Sequence, residues 1–167
     1  MWSTHDQPLE ILRMRISLPS EIPRPEWPEG SHVRGFHASD AERLHALLVH
    51  GYRRGGGSVD SFDTWLPALT GDSEFEPELC FLVEVGDDLA AAAICWSSAF
   101  VKDLVVRENW RRRGFGESLL RIAFRTFQAR GASHVELKVQ AENAAAIRLY
   151  ERVGMRTVER ISEQPGT

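Results

Sequence analysis

Cysteine is scarce in this chain. Only Cys80 and Cys95 occur in 167 residues, and neither lies in a Cys-x-x-Cys pair or a Cys/His cluster. That excludes a disulfide framework and a thiolate metal centre, and predicts two reduced thiols in the core. The six histidines show no metal-ligand spacing, so no metal is expected. Positive charge is also short: 20 Lys and Arg stand against 24 Asp and Glu, a net charge of -4. A phosphate-backbone binder needs a basic surface, which argues against nucleic acid as the main partner. Long apolar runs are missing too. The longest, Leu89 to Trp96, falls far short of the ~20 residues of a membrane helix. His5 and Asp6 stand where a signal peptide would carry a basic patch and an apolar block, so a cytoplasmic protein is expected. What is present is 43 % apolar and 26 % charged, the balance of one packed globular domain.

Hydrophobic periodicity supplies the elements. Leu12, Met14, Ile16 and Leu18 alternate with Arg13, Arg15 and Ser17, which predicts a strand with one buried face. Pro19, Pro23, Pro25 and Pro28 then make an extended connector. We read residues 1–30 as this strand and connector, and 31–167 as the domain. A short strand follows at 32–36. Ser39-Asp40-Ala41-Glu42 has capping-box spacing and starts a helix with a Leu44, Leu47, Leu48 stripe and a stop at Gly51. Gly55-Gly56-Gly57 reads as a flexible loop, and a second helix covers 59–70. Asp72, Glu74, Glu76 and Glu78 crowd a loop before strands at 81–85 and 89–96, which flank a hairpin turn at Gly86-Asp87-Asp88. A strand at 100–106, a helix at 115–130, a strand around 135–139, a helix capped by Asn143 and a last strand at 157–161 complete the chain. The order implies an α/β fold with a mixed sheet.

The turn Arg111-Arg112-Arg113-Gly114-Phe115-Gly116 joins an apolar strand to an amphipathic helix. A helix start exposes unpaired N–H groups and a partial positive charge. Glycines at 114 and 116 remove the Cβ atoms that would block close approach, and the arginines add strong donors. The assembly reads as an anion site, with a pyrophosphate as its expected occupant. Two other readings stay open at this point: Gly-x-Gly is common in loops, and Arg107 with Arg111–Arg113 also fits a nucleic-acid patch. Farther on, Asn143 opens a helix that places Tyr150 two turns in. A phenol holds its proton at neutral pH and can act as an acid, although taken alone Tyr150 reads as a core residue.

The two motifs together are more specific. Arg111-x-x-Gly114-x-Gly116 after the strand resembles the acetyl-CoA pyrophosphate motif, Gln/Arg-x-x-Gly-x-Gly/Ala, of the GNAT superfamily of acyl-CoA-dependent N-acyltransferases. Asn143-x-x-Ala146-x-x-Leu149-Tyr150-Glu151-x-x-Gly154-Met155 is similar to that family's Asn-x-x-Ala-x-x-Leu-Tyr-x-x-x-Gly-Phe/Met segment. The resemblance covers roughly 100–158 and implies a GNAT-like mixed, mostly antiparallel central sheet flanked by helices. It implies that backbone groups of Leu104, Val105 and Val106 pair with the pantetheine arm as an added strand. Beside Arg111, amides of Arg112, Arg113, Gly114, Phe115, Gly116 and Glu117 would wrap the pyrophosphate, and Asn143 would touch the cofactor arm. Tyr150 would protonate the leaving thiolate, and a backbone N–H near Val105 would hold the oxyanion. Asp103 is the first candidate for the general base, with Glu84 or a water chain as alternatives. Lys102 stands where some relatives carry glutamate, and strand parity sets it on the face opposite Asp103.

The expected activity is N-acetyl transfer from acetyl-CoA to a small-molecule or peptide amine, by direct attack in a ternary complex. The competing reading is a CoA-binding sensor without catalysis. The acidic quartet at 72–78 is weighed as a lure for a cationic acceptor against a merely solvated loop. One further expectation is topological. GNAT domains usually finish with two antiparallel strands, whereas this chain supplies one, and the Leu12–Leu18 strand has no other place. We expect it to fill the gap, within its own subunit or in the partner of a homodimer. Tandem GNAT proteins, whose second halves begin with a similar Met-containing strand and Pro-rich link, offer the analogy.

Overall fold

The structure is a computed structural model that describes residues 8–55 and 58–164. Seven strands form one sheet: β1 (Leu9–Ser17), β2 (Ser31–Arg34), β3 (Phe75–Val85), β4 (Asp88–Trp96), β5 (Phe100–Val106), β6 (His134–Gln140) and β7 (Arg156–Glu163). Their order is β2-β3-β4-β5-β6-β1-β7, antiparallel throughout except for β5 and β6. α1 (Ala41–Gly55) and α2 (Phe62–Thr70) cover one face; α3 (Phe115–Ala129) and α4 (Ala144–Arg152) cover the other. This is the mixed, mostly antiparallel α/β sheet that the sequence predicts.

The N-terminal strand lies within its own chain, between β6 and β7 and antiparallel to both. Leu12, Met14 and Ile16 point into the α3/α4 core, and Met14 is fully buried. The proline connector then crosses α3 to reach β2 at the far edge of the sheet. Proline-rich backbone cannot pair in a sheet, so its carbonyls need side-chain donors. Three residues on one face of α3 supply them: Ser118 donates to Glu26 O, Arg125 to Ile22 O and Gln128 to Pro19 O.

Several sequence-derived boundaries move. α1 does not stop at Gly51 but runs on to Gly55. Gly51 is a point of close approach between the helix and the sheet: a Cβ there would collide with Val105 Cγ2. Its role is close approach, not termination. The helix entry also differs. Asp40 accepts from the His37 N–H at 2.8 Å and ends a short 3-10 turn, Ala38–Asp40, ahead of α1. Its carboxylate is also held by Arg34 and Arg43, which share Glu84. Those pairs hold Asp40 well below the usual carboxylate range and occupy Glu84, which removes it as an available base. Of the Gly55-Gly56-Gly57 loop, Gly56 and Gly57 lie outside the described residues.

The acidic quartet is not a loop facing the acceptor. Strand β3 begins at Phe75, so Glu76 and Glu78 are strand residues, and both pair with Arg130 beyond the end of α3. Asp72 and Glu74 accept from the backbone N–H groups of Glu74 and Ser98. Their charges serve local structure, and none of the four lines either cavity described below.

Candidate active site

The site starts from a failure of pairing. β5 and β6 run parallel but pair only at Phe100 with Glu136 and Val101 with Leu137. Beyond Val101 they diverge, and a cavity opens through the sheet. It is lined by Lys102 and Leu104 from β5, Lys138 and Gln140 from β6, Tyr52 from α1, and Asn143 and Tyr150 at α4. The edge of β5 toward this gap is therefore unpaired. Arg107 N donates to Ala90 O at 2.8 Å, and antiparallel alternation from that point turns the backbone of Val105 toward β4. Leu104 and Val106 point their backbone groups into the gap. The side chain of Val105 packs under α1 at Gly51, so this residue belongs to the scaffold.

A one-residue bulge in β5 arranges the charged groups. Ile94 pairs with Asp103 but Cys95 with Val101, which leaves Lys102 as the extra residue. Val101 consequently packs in the α3/α4 core and Val105 in the α1/α2 core, although four positions apart in one strand would share a face. The parity argument that separated Lys102 from Asp103 therefore fails. Both line a second cavity with Leu48, Tyr52, Asp60 and Trp65, and Lys102 Nζ lies 2.8 Å from Asp103 Oδ2. The other carboxylate oxygen accepts from the Tyr52 hydroxyl. Tyr52 and Lys102 line both cavities, so the two spaces meet at these side chains. Burial first, and then the Asp103 charge, push the Tyr52 hydroxyl well above the ordinary phenol value.

Tyr150 is buried, and its hydroxyl has no hydrogen-bond partner among the described residues. The same two causes, burial and then Asp103, push it up to about 12. Asn143 Oδ1 accepts from Ala146 N at 3.2 Å and caps α4, which leaves its amide N–H donors for a ligand. At the end of β5, Gly114 (φ 88°) caps α3 and Arg112 (φ 62°) is also left-handed, so the backbone curls. The amides from Arg112 to Glu117 donate to no carbonyl among the described residues. Arg111 Nε donates to Val106 O, Arg113 lies 4.8 Å from the Trp110 ring centre, and Glu117 pairs with Arg121. Phe115 is a core residue, so it has only its amide to offer.

The acetyltransferase (GNAT) family matches residues 25–155. The chain belongs to this family. It is 32 % identical over 140 residues to the mycothiol acetyltransferase of Beutenbergia cavernae, covering 78 % of this chain and 47 % of that protein. It is 29 % identical over 86 residues to N-alpha-acetyltransferase 30 of Homo sapiens, covering 47 % of this chain and 24 % of the relative. A solved GCN5-related N-acetyltransferase from Sphaerobacter thermophilus shares the fold with a TM-score of 0.78 and 28 % identity, covering 96 % of this chain and 54 % of that one. The chain spans about half the length of the mycothiol acetyltransferases it matches.

The GNAT family read from the two motifs is thus the one found. Within this GNAT fold, Leu104, Asn143 and Tyr150 line the gap, and the arginine turn follows the same strand. Asp103 lines only the adjoining cavity. Sequence reasoning missed Tyr52, which no motif marks. The one signal was its place on the face of α1 that carries Leu44, Leu48 and Gly51, one turn beyond Leu48. Cys80 and Cys95 are buried in the two cores, and burial pushes Cys80 up to about 12 and Cys95 up as well. Neither is placed or ionised for an acyl-enzyme step.

Proposed function

We propose that this chain transfers an acetyl group from acetyl-CoA to an amine by direct attack, with the two substrates meeting in the gap between β5 and β6. The observation that carries the reading is a single strand edge with donors and an acid along it. The unpaired backbone of Leu104, and beyond it the N–H of Val106, whose carbonyl is held by Arg111, lead from the Tyr150 hydroxyl to the unclaimed amides of 112 to 117. An extended pantetheine arm fits such an edge as an added strand. A pyrophosphate fits the curled helix start, with Arg111, Arg112 and Arg113 around it. The N–H of Leu104 faces the gap and is placed to hold the oxyanion. Tyr150 serves as the acid and Asp103 as the final proton acceptor.

These two roles reinforce each other. The negative charge of Asp103 is one of the causes holding Tyr150 high. When Asp103 accepts the proton from the amine that charge disappears, and Tyr150 becomes a stronger acid as the thiolate leaves. The acceptor enters from the cavity bounded by α1 and α2, where Leu48 and Trp65 offer apolar walls and Asp60 a carboxylate. With relatives named mycothiol acetyltransferase and N-alpha-acetyltransferase 30, a small molecule and a peptide are the two acceptor classes to test. No helix among the described residues is long and apolar enough to cross a membrane. Reduced, buried thiols suit the cytoplasm, where we place the reaction.

The cofactor site is tested at Gly114, whose backbone is left-handed and where an added Cβ would meet nothing within 4 Å. Asn and Asp both tolerate that conformation. Gly114→Asp places a carboxylate against the pyrophosphate and is expected to weaken acetyl-CoA by about 10–100-fold by calorimetry, the value of one or two charge-assisted contacts. Gly114→Asn, equal in shape and uncharged, should retain most of the affinity. Equal binding by the two variants would contradict the assignment.

A further inference from the structure

Asp103 has both carboxylate oxygens engaged and does not line the gap. It is 7 % exposed, one oxygen is held by Tyr52 and the other by Lys102. It lines the α1/α2 cavity but not the gap that holds Tyr150. Among the described residues, only Tyr52 and Lys102 belong to both spaces. Lys102 Nζ is a donor already committed to Asp103 Oδ2. The Tyr52 hydroxyl is both donor and acceptor, and it already points its proton at Asp103 Oδ1.

We propose that Tyr52 is the proton relay of the reaction, receiving the amine proton in the gap and passing its own to Asp103. This rests on the acetyl-transfer reading above. The amine nitrogen attacks the thioester carbonyl carbon and forms the C–N bond, and the C=O electron pair moves onto oxygen. The N–H proton passes to Tyr52 Oη while the Tyr52 O–H proton passes to Asp103 Oδ1. The C–S bond then breaks, and the thiolate takes the Tyr150 proton. The proton on Asp103 returns through Tyr52 to the Tyr150 oxygen, which restores all three groups; the net products are the amide and free CoA thiol. Tyr52 itself is never a phenolate. Burial and the neighbouring carboxylate disfavour that form, so the two transfers occur together. With Tyr52, the titratable groups lining the two cavities among the described residues are Tyr150, Lys102, Lys138, Asp103 and Asp60, on α4, β5, β6 and the α1–α2 connection.

The rival reading is that the Tyr52–Asp103 bond only pins α1 to β5. Thiol release, measured with the fastest amine of a panel, separates the two in Tyr52→Phe, Asp103→Asn and the double variant. The relay predicts that each single variant lowers kcat by about 10²-fold or more, that the double variant is no worse, and that calorimetric acetyl-CoA affinity is unchanged. It also predicts a rate that bows with deuterium fraction in the native protein, with more than one proton in flight, and becomes linear in Tyr52→Phe. A fluorotyrosine at position 52 keeps ring and hydroxyl, so a kcat change there reports acidity even if Tyr52→Phe is poorly folded. If Tyr52→Phe retains kcat while Asp103→Asn loses it, the relay is overturned and the Asp103 assignment stands. Full activity in both variants overturns both. Acetyl-CoA binding without turnover of any amine overturns the relay together with the acetyl-transfer reading.

Discussion

Tyr150→Phe is expected to lower kcat by about 10²–10⁴-fold, the usual contribution of a positioned acid. The reason for expecting a clean effect is structural. The lost hydroxyl has no hydrogen-bond partner among the described residues, and the ring fills the same space. Packing should therefore survive, and acetyl-CoA affinity should stay within about twofold, since the lost interaction forms only in the transition state. The sign of the pH effect follows from the shift. Tyr150 is pushed up to about 12, so it stays protonated through neutral and mildly alkaline pH. The native rate should not decline there through loss of this acid. Steady-state kinetics beside calorimetry checks both halves, and undiminished kcat in the variant would make Tyr150 a scaffold residue.

The second large effect concerns β1. Deleting residues 1–20 removes a strand that pairs on both sides, with β6 and with β7. It takes Leu12, Met14 and Ile16 from the core, and it breaks the ion pairs from Arg13 and Arg15 to Glu136 and from Arg13 to Glu159. Leu, Ile or Met to Ala costs roughly 2–5 kcal/mol at a single buried site, and a whole domain is stable by only about 5–15 kcal/mol. The truncated chain should lose its cooperative thermal transition or aggregate through the exposed edges of β6 and β7, although no proposed CoA contact is removed. A soluble truncation with an unchanged Tm would mean that β1 does not hold the sheet together.

The parts of this molecule that were legible in sequence are those written in backbone chemistry. Gly114 and Asn143 mark helix starts by their own conformational and capping properties, and Leu12, Met14 and Ile16 mark a buried strand face. The alternating apolar face of β1 asked for a buried place in the sheet, and the proline connector was long enough to carry the chain across the domain from it. What stayed hidden depends on contacts between distant segments. The bulge at Lys102 exists only in the pairing of β4 with β5, yet it turns Lys102 and Asp103 to the same side. Gly51 looked like a helix end because its true neighbour, Val105, lies far along the chain. Glu76 and Glu78 looked like free charge because Arg130 meets them only in the folded sheet. Tyr52 carried no motif, and its meaning arises where two cavities meet.

The most direct test of the account is thiol release from acetyl-CoA over a panel of small amines and peptide N-termini, with Tyr150→Phe run alongside. The account predicts amine-dependent release by the native protein, an acetylated amine in equal amount, and a loss of about 10²-fold or more in the variant. Tight acetyl-CoA binding without release for any amine would instead make the chain a CoA-binding module and contradict the central claim.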